Sequence, residues 1–154
     1  MRNGARVILA SMLLATVGAT GSWAQGARFG VRGGLSFSPD QFVLGAQAEV
    51  GRWAFARIVP SVDVGFGDDV TTIAFNGDFL LKVELPDAKL ELYGGAGPTA
   101  VYADVSNGPS DWNVGLSLVV GGRLPIGGRH AVNLEGRFGV GDIPDFKLIA
   151  AIIL

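Results

Sequence analysis

The chain has 154 residues, with 12 Lys or Arg against 14 Asp or Glu, one His and no Cys, for a formal net charge of −2. The missing cysteines exclude a disulfide framework, a lipid-modified N-terminal Cys, thiolate metal ligands and thiol nucleophiles. The modest charge leaves no basic footprint, so no nucleic-acid partner is expected.

Residues 1–24 have the form of an export signal. Arg2 and Arg6 supply a positive start, and Val7 to Val17 is apolar but too short to span a bilayer as a helix. Ser22-Trp23-Ala24 places small residues at the −3 and −1 positions of a cleavage site before Gln25. The expected domain is therefore 25–154, roughly 130 residues, a length that suits a single domain. No later window makes a transmembrane helix, because Asp, Asn, Arg or Gly interrupts each candidate.

From about Ala27 onward one pattern repeats: some ten residues of alternating apolar and polar or small side chains, then a short turn. The first strand, Ala27 to Phe37, puts Phe29, Val31, Leu35 and Phe37 on one face and Arg28, Arg32 and Ser36 on the other. After Ser38-Pro39-Asp40, the second sets Phe42, Leu44, Ala46, Ala48 and Val50 against Val43, Gln47 and Glu49. Beyond Gly51-Arg52-Trp53, the third sets Ala56, Ile58, Pro60, Val62, Val64 and Phe66 against Arg57, Val59, Ser61 and Asp63. Pro60 cannot donate to a ladder, so a bulge or a lost hydrogen bond is expected beside it.

The fourth strand, Val70 to Val83, contains Asn76-Gly77, a hairpin signal by itself. The phase Thr71, Ile73, Phe75, Gly77, Phe79, Leu81 runs straight through it, and splitting it leaves pieces too short to span. One strand is expected, with Thr72, Ala74, Asn76, Asp78, Leu80 and Lys82 on its other face. A turn at Leu85-Pro86-Asp87 leads to a glycine-rich fifth strand, Lys89 to Tyr102, carrying Glu91, Tyr93 and Thr99. The longest loop is expected over Ala103 to Asp111. The sixth strand sets Trp112, Val114, Leu116, Leu118, Val120 and Leu124 against Asn113, Ser117 and Arg123, and ends at a turn over Pro125 to Gly128. The seventh sets Val132, Leu134, Phe138 and Val140 against Asn133, Glu135 and Arg137. After Gly141 to Asp145 the eighth runs from Phe146 to Leu154.

Eight segments of bilayer-spanning length behind an export signal predict an all-β, eight-stranded antiparallel transmembrane barrel. The charged phase must be screened from lipid, since a charge on the lipid face costs about 2–4 kcal/mol at the midplane. The barrel is therefore expected to be inside-out. Arg28, Arg32, Arg57, Lys82, Arg123, Arg137 and Lys147 then meet Glu49, Asp63, Asp78, Glu91 and Glu135 in an interior wide enough only for side chains. Paired charges filling that space are the expected state, and a narrow channel is the alternative.

With an even strand number, the loops after odd strands share the end away from the termini. They carry Asp40, Asp68, Asp69, Asp104, Asp111, Asp142 and Asp145 and no Lys or Arg, while Arg52, Lys89, Arg129 and His130 lie at the other end. Such a rim offers oxygen ligands for divalent cations bridging to lipopolysaccharide, although Asp also favours turns by bonding its own backbone. Phe37, Phe42, Phe66, Tyr102, Trp112 and Phe146 fit an outer interfacial girdle, and Trp53 and Phe55 the opposite one.

The export signal, the first strand FGVRGGLSF, the fifth-strand ELYGGAGPTA and the closing GDIPDFKLIAAIIL resemble the porin-family or OmpA-type small outer-membrane barrels of Gram-negative bacteria. That resemblance covers the mature chain and implies residence in the outer membrane, contact with its lipid and lipopolysaccharide, and insertion by the assembly machinery. It implies a monomer with a structural or surface-interaction role. Such proteins typically end in an aromatic residue that the machinery reads, whereas Leu154 stands here.

Barrels of this kind include lipid A deacylases and palmitoyl transferases, which need a nucleophile and a base within hydrogen-bond reach. The lone His130 has Val132 where the deacylases place Ser, and it lies at the wrong end. Asp63 and Asp78 resemble a carboxylate pair, but inward Arg57 and Lys82 are the expected salt-bridge partners. No catalytic, cofactor-binding or metal residue is assigned. The rival architecture is a soluble periplasmic lipocalin-like binder, which requires the apolar phase inside and the charged phase outside.

Overall fold

The computed structural model describes residues 26–52, 55–85 and 88–154. The export signal, the girdle position Trp53 and the turn residues Pro86 and Asp87 lie outside the described residues, as do the side chains of Arg52 and Glu84.

Eight antiparallel strands follow one another in chain order. They are β1 Arg28–Phe37, β2 Gln41–Glu49 with a short continuation Gly51–Arg52, β3 Ala56–Phe66 and β4 Val70–Glu84. The second half is β5 Glu91–Val105, β6 Asp111–Gly127, β7 His130–Gly141 and β8 Phe146–Ile153. Each strand pairs with its chain neighbours, and β1 pairs with β8 from Gly30↔Ile153 to Phe37↔Phe146, which closes the cylinder. The Leu154 amide extends that seam by donating to the Phe29 carbonyl at 2.8 Å. Closure leaves no unpaired sheet edge, the condition for a sheet to sit in hydrocarbon.

β4 is continuous through Asn76-Gly77, as the unbroken apolar phase predicts. The local turn propensity loses because a turn there would strand two half-length pieces. Beside Pro60 the β2–β3 pairing steps by one residue, from Gln47↔Ser61 to Gly51↔Ile58, the irregularity that proline's missing donor leads one to expect. Two boundaries differ from expectation. β5 starts at Glu91 and runs on to Val105, so the loop expected from Ala103 shrinks to Ser106–Ser110. β6 continues through Pro125 and Ile126 to Gly127, with a register shift at Pro125/Gly127 that accommodates the proline.

The inversion of a soluble barrel holds in every strand. Leu116, Leu134 and Ile58 face outward, with Leu134 57 % exposed, whereas Arg137 and Glu135 are 3 % and 4 % exposed. A soluble monomer rarely shows a contiguous apolar patch of more than a few hundred Å². Here Phe29, Leu44, Ile58, Phe79, Leu92, Leu118, Leu134 and Ile152, one from each of the eight strands, are all exposed and so ring the outer wall with apolar side chains. Ala56 departs from its expected phase. It is fully buried, its single methyl group lying beside the larger cross-strand partner Leu81.

At the loop end the aromatics cluster: Phe146 packs on Phe37 (5.7 Å between centroids) and Phe138 (5.0 Å), and Trp112 on Tyr102 (5.3 Å) and Phe75 (6.2 Å). Inside, Gly121 is required by close approach, because a Cβ there would fall 2.6 Å from the Tyr93 ring and 2.7 Å from the Leu134 carbonyl. Gly121→Ala is expected to destabilise the barrel by about 1–3 kcal/mol through overpacking, read as a lower urea midpoint for unfolding from lipid vesicles.

Candidate functional site

Twelve charged side chains of the strands' polar phase point into the lumen, and the narrow cylinder brings them together in two layers. Their alternation with the apolar phase places each one there; the strand tilt decides which partner it meets.

The layer nearer the loop end is built on Arg32 of β1 and Arg137 of β7. Arg137 binds Asp78 of β4 with both terminal nitrogens, at 2.8 and 2.9 Å, and reaches Glu135 at 3.1 Å. Arg32 pairs with Asp63 of β3 at 2.9 Å and with Glu135 at 3.4 Å. Tyr93 donates to the other Glu135 oxygen at 3.1 Å. Asn76 donates to Asp63 and to Ser61, and accepts from Thr99, whose hydroxyl also meets Ser117 at 2.7 Å. Bidentate charge-assisted bonds of this kind are the strong ones, and in a water-poor interior each partner depends on the other.

The second layer lies toward the termini. Glu49 of β2 receives Arg123 of β6 in a short charged contact, with Arg57 at 3.8 Å and Arg28 at 3.9 Å. Arg57 also contacts Glu91 and lies over the Tyr93 ring at 4.5 Å. Arg123 donates its Nε to Asn133 at 2.9 Å. Arg28 donates to the Arg129 carbonyl at the barrel's end.

All twelve side chains expected in the lumen are directed there. The pairing differs in one respect: Asp63 and Asp78 meet Arg32 and Arg137, not Arg57 and Lys82. Neighbours along one strand face lie a full pleat repeat apart, whereas the lumen is narrow enough for guanidinium groups to cross it. Sequence spacing along a strand therefore cannot name partners that the barrel's tilt and stagger determine.

Val59, Leu80 and Tyr93, placed on the inward face by the sequence, form one buried cluster with Val119, and Ala131, Ala151 and Ile153 form another near the termini; the sequence reading did not single out Val119 or the second cluster. Ile143, from the loop between β7 and β8, folds into the outer mouth against Ala74 and Val101. Its signal was faint, one aliphatic residue in the stretch Gly141-Asp142-Ile143-Pro144-Asp145.

The acidic loop residues gather at one end, and two are engaged locally. Asp104 accepts from Ser110 at 2.9 Å, and Asp111 accepts from the Trp112 amide at 2.8 Å. Among the described residues no three His, Cys, Asp or Glu side chains are grouped to hold one metal ion. His130 is exposed at the start of β7, at the opposite end, and Val132 points outward.

This is the fold of small outer-membrane eight-stranded barrels. The N-terminal β-barrel domain of Pseudomonas aeruginosa OprF superimposes with a TM-score of 0.67 at 13% identity, covering 82% of this chain and 94% of that one. Neisserial surface protein A superimposes with a TM-score of 0.63 at 13% identity, over 83% and 94% of the two chains. The Yersinia pestis outer membrane protein Ail, in a phospholipid bilayer nanodisc, gives 0.50 at 10% identity, over 83% and 99%. No protein-family model matches the chain, and no curated protein matches it in sequence.

Proposed function

We propose that the protein is an integral outer-membrane barrel, exported by residues 1–24 as a cleaved signal, with a structural or surface-interaction role and no catalytic activity. The observation that carries this reading is the pairing of a lipid-compatible apolar belt with a lumen occupied by buried ion pairs. A channel needs a continuous aqueous path. Here the Arg32–Asp63 and Arg137–Asp78 layer, the Val59 cluster and the inturned Ile143 stand in series along the axis. That arrangement supports a closed lumen.

Among the described residues no nucleophile is paired with the lone histidine, since His130 is solvent-facing and no Ser neighbours it on its strand face. Lipid and lipopolysaccharide are the proposed surroundings, and the outer-membrane assembly machinery the transient partner that inserts a monomer. The short loops leave little area for a protein receptor, so any surface role rests on the acidic rim. With no cation-holding group of carboxylates among the described residues, the rim aspartates are read as turn formers, and calcium or magnesium is expected to leave the melting temperatures of wild type and Asp68→Asn unchanged; a rise confined to the wild type would assign the rim a cation site.

The reading as a whole is tested by fractionation and electrophysiology. The protein is expected to stay in membranes through carbonate and urea washes, to migrate faster unheated than boiled, and to give no stepwise current in planar bilayers. Release by the washes overturns the membrane reading. A steady single-channel conductance overturns the closed lumen.

A further inference from the structure

Ile143 belongs to the turn between β7 and β8, where a side chain would ordinarily meet water, yet it is 8 % exposed. Its two neighbours, Asp142 and Pro144, remain exposed and half-buried. The partners it reaches are Ala74 of β4 and Val101 of β5, paired with each other across their strands. Neither strand is a neighbour of β7 or β8, so the side chain crosses the mouth of the cylinder.

The wall is shaped to receive it. Gly115 of β6 and Gly139 of β7 both lie on the inward phase. A Cβ at Gly115 would fall 3.0 Å from the Ile143 Cγ1 and 3.1 Å from its Cδ1, and one at Gly139 would fall 2.9 Å from Cγ1. The isoleucine thus occupies space that two missing side chains leave free. Gly141, at a φ of +101°, begins the turn in a conformation that favours glycine. The Gly139 amide donates to the Asp145 carbonyl at 2.9 Å and holds the far side of the turn against the wall. Burial of an aliphatic side chain favours this seated turn over one extended into water. An apolar constriction of Ile143, Ala74 and Val101 excludes water from the passage it narrows.

One pleat repeat deeper on β6 the lining turns polar, with Ser117 meeting Thr99 at 2.7 Å. We propose that the β7–β8 turn is a lid, with Ile143 as the stopper that closes the outer mouth above this polar level. Seated, it keeps water and small solutes from the lumen; unseated, it exposes the Thr99–Ser117 level to the outside. The lid rests on the closed-lumen reading, but current and thiol access report on different levels of the barrel. Conductance of the wild type would overturn the ionic block, whereas the modification rates described next decide the lid.

The chain contains no Cys, so single introduced cysteines report access without background. The protein refolded in octylglucoside is treated with a small cationic methanethiosulfonate, and the rate of modification is followed by mass spectrometry. Ser117→Cys is expected to react slowly, and about tenfold faster or more once Ile143→Ala is added, because the truncation removes most of the side chain that keeps the turn seated. Ala131→Cys, buried at the end bearing the termini, is expected to keep its rate in the Ile143→Ala background. That constancy separates an opened mouth from a loosened barrel. Should Ile143→Ala fail to fold, judged by heat-modifiable migration, the seat is read directly. Ile143→Cys is then expected to react about tenfold more slowly than Asp142→Cys beside it. An unchanged rate for Ser117→Cys, an equal acceleration of Ala131→Cys, or equal rates for Ile143→Cys and Asp142→Cys overturns the proposal.

Discussion

Arg137→Met is expected to destabilise the folded barrel by about 3–5 kcal/mol, the cost of breaking a buried ion pair by removing one partner. The magnitude follows from what is left behind. Asp78 loses both of its close donors, at 2.8 and 2.9 Å, and Glu135 loses its 3.1 Å contact, while neither carboxylate reaches water. Glu135 retains Arg32 and Tyr93, so the larger orphan is Asp78. Adding Asp78→Asn to the Arg137→Met background is therefore expected to recover a large part of the loss. The measurement is the urea midpoint for unfolding from phosphatidylcholine vesicles, taken for both single variants and the double. Additive losses in the double variant would show that the pair is not coupled.

The second large effect lies on the other face of the wall. Leu118, near the middle of β6, is 44 % exposed and surrounded by apolar neighbours of the belt. Leu118→Arg is expected to cost about 2–4 kcal/mol at the bilayer midplane, and the same change at Val132, close to the end of β7, about 0–1 kcal/mol. A depth dependence of that kind has no counterpart in a water-soluble barrel, where an arginine at either position joins an exposed surface. Equal and negligible costs at both positions would therefore return the soluble lipocalin-like architecture to consideration.

The strand number, their order of pairing and, Ala56 apart, the face each strand residue takes were readable because period-two alternation is local, and a one-residue slip would reverse every side chain. The continuity of β4 through Asn76-Gly77 was readable for the same reason, once spanning length was weighed against turn propensity. Partner choice in the lumen was not. That Arg137 meets Asp78, and that Arg32 meets Asp63, depends on tilt and stagger around the whole cylinder. The ends of β5 and β6 were misplaced because Ala103-Asp104-Val105 and Pro125-Ile126 read as loop in isolation, yet tertiary pairing with Val70–Thr72 and Ala131 extends both ladders.

The seam between β1 and β8 has a consequence for biogenesis. β1 and β8, the strands farthest apart along the barrel sequence, must find each other before the cylinder seals. A nascent polypeptide cut short before Phe146 would hold seven strands with two ladders of bare peptide groups turned toward acyl chains. Such a fragment is expected to fail to insert, so closure of this molecule depends on residues 146–154.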